Sequence, residues 1–206
     1  MKKFAALTLA TVLSTQLAAC PAPILFGAAA TGAYIGLQER DAAQVAKDTK
    51  IKVHIKDKLT STNFKYLSNI TVNVFEGDVL LTGIVPDREA GEHVLALTRS
   101  TTDVQRVYNE LLVGNSYPAK QKARDVWIST QIKPRLLGNR QTFPINYNVS
   151  VVNGHVYIIG YTTSDVEHEH VLHVLRTTQG VVQVHDYLRI LQESEKPETQ
   201  PIGNDV

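Results

Sequence analysis

One cysteine, one methionine and one tryptophan occur among 206 residues, and the 21 Lys and Arg barely outnumber the 20 Asp and Glu. A single thiol excludes an intramolecular disulfide and any multi-cysteine metal site. A formal net charge of +1 excludes a global field that would draw nucleic acid, so any electrostatic function must come from local asymmetry. No G-x-S-x-G, no P-loop and no G-x-G-x-x-G behind a strand is present, and neither an enzyme nor a cofactor is expected. With 43% hydrophobic and 20% charged residues the chain is nonetheless globular, with room for one or two domains.

The lone cysteine stands at an informative place. Lys2 and Lys3 form a positive n-region, Phe4 to Leu13 an apolar h-region, and Leu17-Ala18-Ala19-Cys20 follows. The ending resembles the bacterial lipobox, which implies removal of residues 1–19 and lipid chains (palmitate among them) on Cys20. Several acyl chains, at about 0.8 kcal/mol per buried methylene, anchor stably. Pro21 stands where an inner-membrane retention signal would carry Asp, which favours an outer membrane and its periplasmic face. Residues 20–45 read as a lipidated flexible tether: Pro21 to Leu37 is apolar but broken by Pro and Gly, and shorter than a spanning helix. Residues 192–206, polar and carrying Pro197 and Pro201, read as a disordered tail.

Between these segments the chain repeats itself. Val72-Asn73-Val74-Phe75-Glu76-Gly77-Asp78-Val79-Leu80-Leu81-Thr82-Gly83 alternates, turns and alternates again, which is a β-hairpin signal. Val149-Ser150-Val151-Val152-Asn153-Gly154-His155-Val156-Tyr157-Ile158-Ile159-Gly160 does the same at a constant shift of 77 residues. Gly83 and Gly160 are expected to end the second strands. The shift aligns Ile51, Ile55 and Leu59 with Ile128, Ile132 and Leu136, one face of an amphipathic helix in each copy. It continues without a gap to Val113 and Ile190. Each copy reads helix, strand, strand, helix, strand, in the first at 42–60, 70–76, 78–85, 87–100 and 104–113. Asp87 or Pro86 opens the second helix there, and Ser164-Asp165 its counterpart. A right-handed crossover returns the last strand to the same sheet. Fold class is therefore α+β: two tandem α-β-β-α-β domains, 46–114 and 123–191, each a three-stranded mixed sheet covered by two helices. Domains this small have marginal cores, so mutual support across an interface is expected.

This arrangement, the V-x-V-x-x-G-x-V-x-x-x-G hairpin and the duplication behind a lipobox resemble the dual BON-domain outer-membrane lipoprotein (OsmY/DolP-like) family. The resemblance implies a protein that binds anionic phospholipid and supports envelope integrity, without catalysis.

Differences between the copies point to a site. Trp127 aligns with Lys50 and lies one residue before the buried Ile128 position, so helix geometry turns it off the core face. Leu137 replaces Thr60. From Pro118 to Gln141 the bases are Lys120, Lys122, Arg124, Lys133, Arg135 and Arg140, against one acid, Asp125. An amphipathic tryptophan ringed by bases suits an anionic leaflet. The resemblance implies the same element, since Trp127-Ile128-Ser129-Thr130 matches the family's W-I-x-T context. The candidate phospholipid contacts are Arg124, Trp127, Ile128, Gln131, Lys133, Arg135, Leu137 and Arg140. Pro134 is expected to kink or shorten this helix. A second reading buries Trp127 between the domains or on the linker, with the helix bases as a solvated face. The alternative function is a non-catalytic interaction scaffold for an envelope assembly or protease system, with an envelope protein as partner. His168, His170 and His173 lack H-E-x-x-H spacing, and His93 already stands at the His170 position of the first copy, which favours a structural or solvated role for His170.

Overall fold

A computed structural model describes residues 42–61, 67–114, 117–138 and 142–191. Cys20, most of the tether, the 192–206 tail and Arg140 lie outside the described residues.

Each domain follows the expected element order. The first comprises α1 (Ala42–Ser61), β1 (Ile70–Phe75), β2 (Asp78–Val85), α2 (Arg88–Arg99) and β3 (Arg106–Val113). The second comprises α3 (Ala119–Leu137), β4 (Tyr147–Val152), β5 (His155–Thr162), α4 (Asp165–Arg176) and β6 (Gln183–Ile190). The first helix is described from Ala42, ahead of the expected domain boundary at 46, so residues 42–45 are helix rather than tether. The second strand of each copy is central, antiparallel to the first and parallel to the third, the parallel pair being joined by a crossover through α2 or α4. Asp87 and Ser164 cap those helices, accepting from Ala90 N at 2.8 Å and Glu167 N at 3.1 Å.

The hairpins turn with positive φ at both central residues, Glu76 and Gly77 in one, Asn153 and Gly154 in the other, the geometry of a type I′ turn. Gly83 and Gly160 do not end their strands. They lie inside β2 and β5, at φ +132 and +148, opposite the first residue of β1 or β4. The backbone there approaches so closely that a Cβ would stand 2.0 Å from Asn69 O and 2.2 Å from Asn146 O.

A buried carboxylate ties each first helix to its hairpin. Asp48 accepts from Glu76 N at 2.8 Å and Gly77 N at 3.1 Å, and Asp125 accepts from Asn153 N at 2.8 Å and Gly154 N at 2.9 Å. Asp125, by sequence the one acid in a basic patch, is thus an internal clamp. It also takes Gln121 Nε2 at 3.1 Å and the Tyr117 hydroxyl. Glu167 is buried too, accepting from Phe143 N and Thr163 N at 2.9 and 2.8 Å and fixing the loop after α3.

One face of each sheet is covered by its two helices, giving two separate cores around Ile51, Ile55, Val79 and Val94 and around Ile128, Ile132, Val156 and Val171. The opposite faces meet each other. Phe75, Leu80, Ile84, Tyr157, Ile159 and Tyr161 form a third core between the sheets, so the domains do support one another. This explains why β2 and β5 are buried at nearly every position: both of their faces are covered. Polar contacts border this core. Thr82 Oγ1 meets Ser150 Oγ at 3.2 Å, the Tyr187 hydroxyl donates to Glu110, and Arg189 pairs with Glu76. His185 stacks on Tyr157 with centroids 4.5 Å apart and shares a bond with His155 at 3.1 Å.

Candidate functional site

Helix α3 carries the candidate residues, and its core side is unambiguous. Asp125, Ile128, Ile132 and Leu136 are buried. Ile128, placed among the phospholipid contacts from sequence, is fully buried at 0% exposure. That assignment is corrected: a side chain in the second domain's core reaches no headgroup while the domain is folded.

Turning about 100° per residue, the outward arc opposite that core holds Ala123, Val126, Trp127, Thr130, Pro134 and Leu137, all exposed. Val126 is 62%, Trp127 45% and Leu137 63% exposed. The result is an apolar ridge along the helix. Arg124 and Lys120 stand on one shoulder, Lys122 and Lys133 on the other. The same arc of α1 carries Ala46, Thr49, Lys50, Val53, Asp57 and Thr60, so the ridge belongs to the second domain alone. Pro134 does not stop the helix: α3 continues to Leu137, and Gly138 N closes the last turn on Pro134 O at 2.9 Å. Proline forfeits one donor, but on the solvent side it adds apolar surface to the ridge.

Trp127 rests its inner edge on the turn between α4 and β6. A Cβ on Gly180, where φ is +90, would stand 3.3 Å from Trp127 Cζ3 and 3.1 Å from Ile128 Cγ1. Gln131 Nε2 reaches Gln179 O in the same turn at 3.4 Å. The equivalent pair in the first domain is Lys50 and Asp103, which together line a polar cavity. Trp127 therefore leans on its own domain with its outer edge open, and the core between the sheets is built from other residues.

Arg135 is differently engaged. Its Nη1 donates to Val174 O at 3.0 Å and Thr178 Oγ1 at 2.6 Å, and its Nη2 to Thr177 Oγ1 at 2.8 Å. Lys58 plays the matching part in the first domain, donating to Ser100 O at 2.8 Å. Arg135 is thus a strut to the end of α4, where a cation suits the helix dipole, and it adds charge to the shoulder with three of its five N–H donors already engaged. Arg124, Gln131 and Lys133 remain at the surface. Val126 is absent from the candidates read from sequence, although its replacement of Thr49 is a signal of the same kind as Trp127 for Lys50.

The histidines of α4 are structural in part: His168 Nε2 meets Asp186 Oδ2 on β6 at 2.7 Å. Among the described residues no group of three or more His, Cys, Asp or Glu is placed to hold a metal, and no helix is long and apolar enough to cross a membrane.

Comparison with known proteins agrees with the duplication. The BON domain model matches residues 47–115 and again 124–192. An uncharacterized protein in the gshII 5' region of Anaplasma centrale is 37% identical over 126 residues, spanning 60% of this chain and 82% of that one. A 21 kDa hemolysin of Actinobacillus pleuropneumoniae is 30% identical over 156 residues, 76% of this chain and 73% of its own. The outer membrane lipoprotein DolP of Haemophilus influenzae is 26% identical over 164 residues, 79% and 83% of the two chains.

Proposed function

The chain belongs to the BON-domain family, carrying that domain twice, and from that premise we propose that it is an outer-membrane lipoprotein whose second domain docks on anionic phospholipid and supports envelope integrity. The observation that carries this reading is the ridge of α3, apolar at its crest, basic on both shoulders, and without counterpart in α1. An outer-membrane lipoprotein among its relatives supports the location, and Cys20 supplies the attachment.

The magnitudes suit reversible docking by a tethered protein. Fully burying a Val or Leu side chain is worth about 1.5–3 kcal/mol. Val126 and Leu137, each a little over 60% exposed, therefore offer about 1–2 kcal/mol apiece. Basic residues near an anionic surface add about 1 kcal/mol each, and less as salt rises. Such a surface is weak alone and effective once acyl chains hold it near the bilayer.

Trp127 is the chain's sole tryptophan, so its fluorescence reads the contact directly. With Cys20→Ser removing the anchor, anionic vesicles should shift Trp127 emission to the blue and protect it from quenchers, neutral vesicles should do neither, and added salt should reverse the effect. Trp127→Glu should lower vesicle co-sedimentation about tenfold or more, a loss of over about 1.4 kcal/mol. Unchanged emission with anionic vesicles, or undiminished binding by Trp127→Glu, would turn the assignment toward the interaction scaffold.

A further inference from the structure

The shoulder of α3 that faces the first domain borders a cleft of about 400 Å3. Ser68 and Thr71 of the first domain form one wall, Lys122 and Lys133 of α3 the other, and Val151 and Val152 the floor. The cleft thus joins two domains, and its hydrogen-bonding capacity is lopsided.

Its one carboxylate is fully committed. Asp125 already receives two backbone amides, an amide side chain and the Tyr117 hydroxyl. Asn69 Oδ1 receives Lys122 Nζ at 2.6 Å. The hydroxyl protons of Ser129 and Thr130 go to their own helix, to Asp125 O at 3.0 Å and Trp127 O at 2.7 Å. What remains is a surplus of donors: the Lys133 ammonium, the unused protons of Lys122, and the hydroxyls of Ser68 and Thr71, which among the described residues bond to nothing else. Two positive charges face no uncommitted carboxylate. Donors converging from two walls with charge to match suit an oxyanion with several acceptor oxygens.

The internal repeat sharpens this. At the same shift the other copy carries Ile145 for Ser68, Asn148 for Thr71 and Val45 for Lys122. Lys133 has an equivalent in Lys56, but its combination with Lys122, Ser68 and Thr71 occurs only on this side of the molecule, the side on which the ridge lies.

We propose that this cleft binds a phosphate group, that of a lipid headgroup when the ridge of α3 is docked, and that the first domain completes the site through Ser68 and Thr71. The lipid source rests on the docking reading above; the phosphate chemistry rests on the cleft alone. The consequence is recognition of headgroup chemistry as well as surface charge, shared between domains rather than confined to the second.

The test uses the full chain with Cys20→Ser and two kinds of vesicle matched in surface charge, one with phosphatidic acid and one with oleate, each in phosphatidylcholine. The parent should bind the phosphate-bearing vesicles about five- to tenfold more tightly, the effect of one or two added hydrogen bonds to a charged group. Ser68→Ala with Thr71→Val, which alters no charge, should bring that ratio to about one while leaving affinity for oleate vesicles unchanged. Lys133→Gln should lower the ratio, and Arg124→Gln, an equal charge change on the other shoulder, should not. Inorganic phosphate should raise the melting temperature of the parent and not of the double variant. Equal affinity for both vesicles, or a ratio indifferent to Ser68 and Thr71, overturns the cleft and leaves the ridge standing. Binding to neither vesicle, with the phosphate-induced melting shift intact, overturns docking and keeps the cleft as a site for free phosphate. No response to vesicles or phosphate overturns both.

Discussion

Replacing Asp125 with alanine tests the clamp that joins α3 to its hairpin. The carboxylate is 3% exposed and serves four donors: Asn153 N, Gly154 N, Gln121 Nε2 and the Tyr117 hydroxyl. Gln121 is half-exposed and regains water. Gly154 N is buried, and an unpaired buried donor costs about 1–3 kcal/mol. Tyr117 and Asn153 lose a charge-assisted partner at about 1–1.5 kcal/mol each after partial rehydration. Asp125→Ala should therefore destabilise by about 3–6 kcal/mol. Asp48 holds the first domain's hairpin in the same geometry, through Glu76 N and Gly77 N, so Asp48→Ala should also destabilise by about 3 kcal/mol or more. Urea denaturation of both variants, and of each Asp125 form with Tyr117→Phe, closes a double-mutant cycle. Tyr117→Phe keeps the ring beneath Lys122 and removes only the hydroxyl, so it should cost about 1 kcal/mol in the parent and nothing in Asp125→Ala. A coupling near zero between Asp125 and Tyr117 would refute the reasoning.

Alkaline pH should unfold the pair of domains before solvent chemistry does. Burial, with Glu110 adding, pushes the Tyr157 hydroxyl from 10.0 up to about 12. Burial likewise raises Tyr117, Tyr147 and Tyr187, helped by Asp125, Glu167 and Glu110 respectively. These groups hold their protons more tightly when folded, so the stability they contribute is complete below about pH 10 and is lost as pH rises toward 12. Tyrosinate absorbance should appear in two steps, the second coinciding with the loss of circular dichroism; a single step near pH 10 would contradict this. Gly83→Ala and Gly160→Ala should each cost about 3 kcal/mol or more, because each places a Cβ against backbone at a φ that alanine avoids. Melting shifts of only a degree or two for either variant would mean that β1 or β4 yields at its first residue.

Much of this fold is visible in the chain because its signals are local. The hairpin turns announce themselves at Glu76-Gly77 and Asn153-Gly154, and the Ile51, Ile55, Leu59 and Ile128, Ile132, Leu136 spacings define core faces by periodicity alone. Trp127 and Leu137 stand out since the other copy shows what a plain scaffold carries there. Other features depend on residues brought together from afar. Asp125 reads as a surface charge because its partners are backbone amides 28 and 29 positions away. Arg135 reads as a headgroup contact because the end of α4, which it supports, comes about forty residues later. Pro134 reads as a breaker because propensity does not record which side of the helix loses the bond. The cleft beside Lys122 needs Ser68 and Thr71, which no periodicity connects to α3.

The facing sheets carry a consequence of their own. Exchanging β1 with β4 and β2 with β5 maps the contacts between them onto themselves, since β1 meets β4 and β5 while β2 meets β4. That is the pattern of an isologous dimer, here assembled from two halves of one polypeptide. Joined through the short stretch between β3 and α3, the halves meet at an effective concentration of about millimolar or more, so pairing does not depend on how many copies the cell makes. The self-complementary face is also used up within each molecule, which leaves that face unavailable to a second copy. A homodimer would have to change both partners at every substitution. This chain alters one alone, and Lys50 and Trp127 record that freedom.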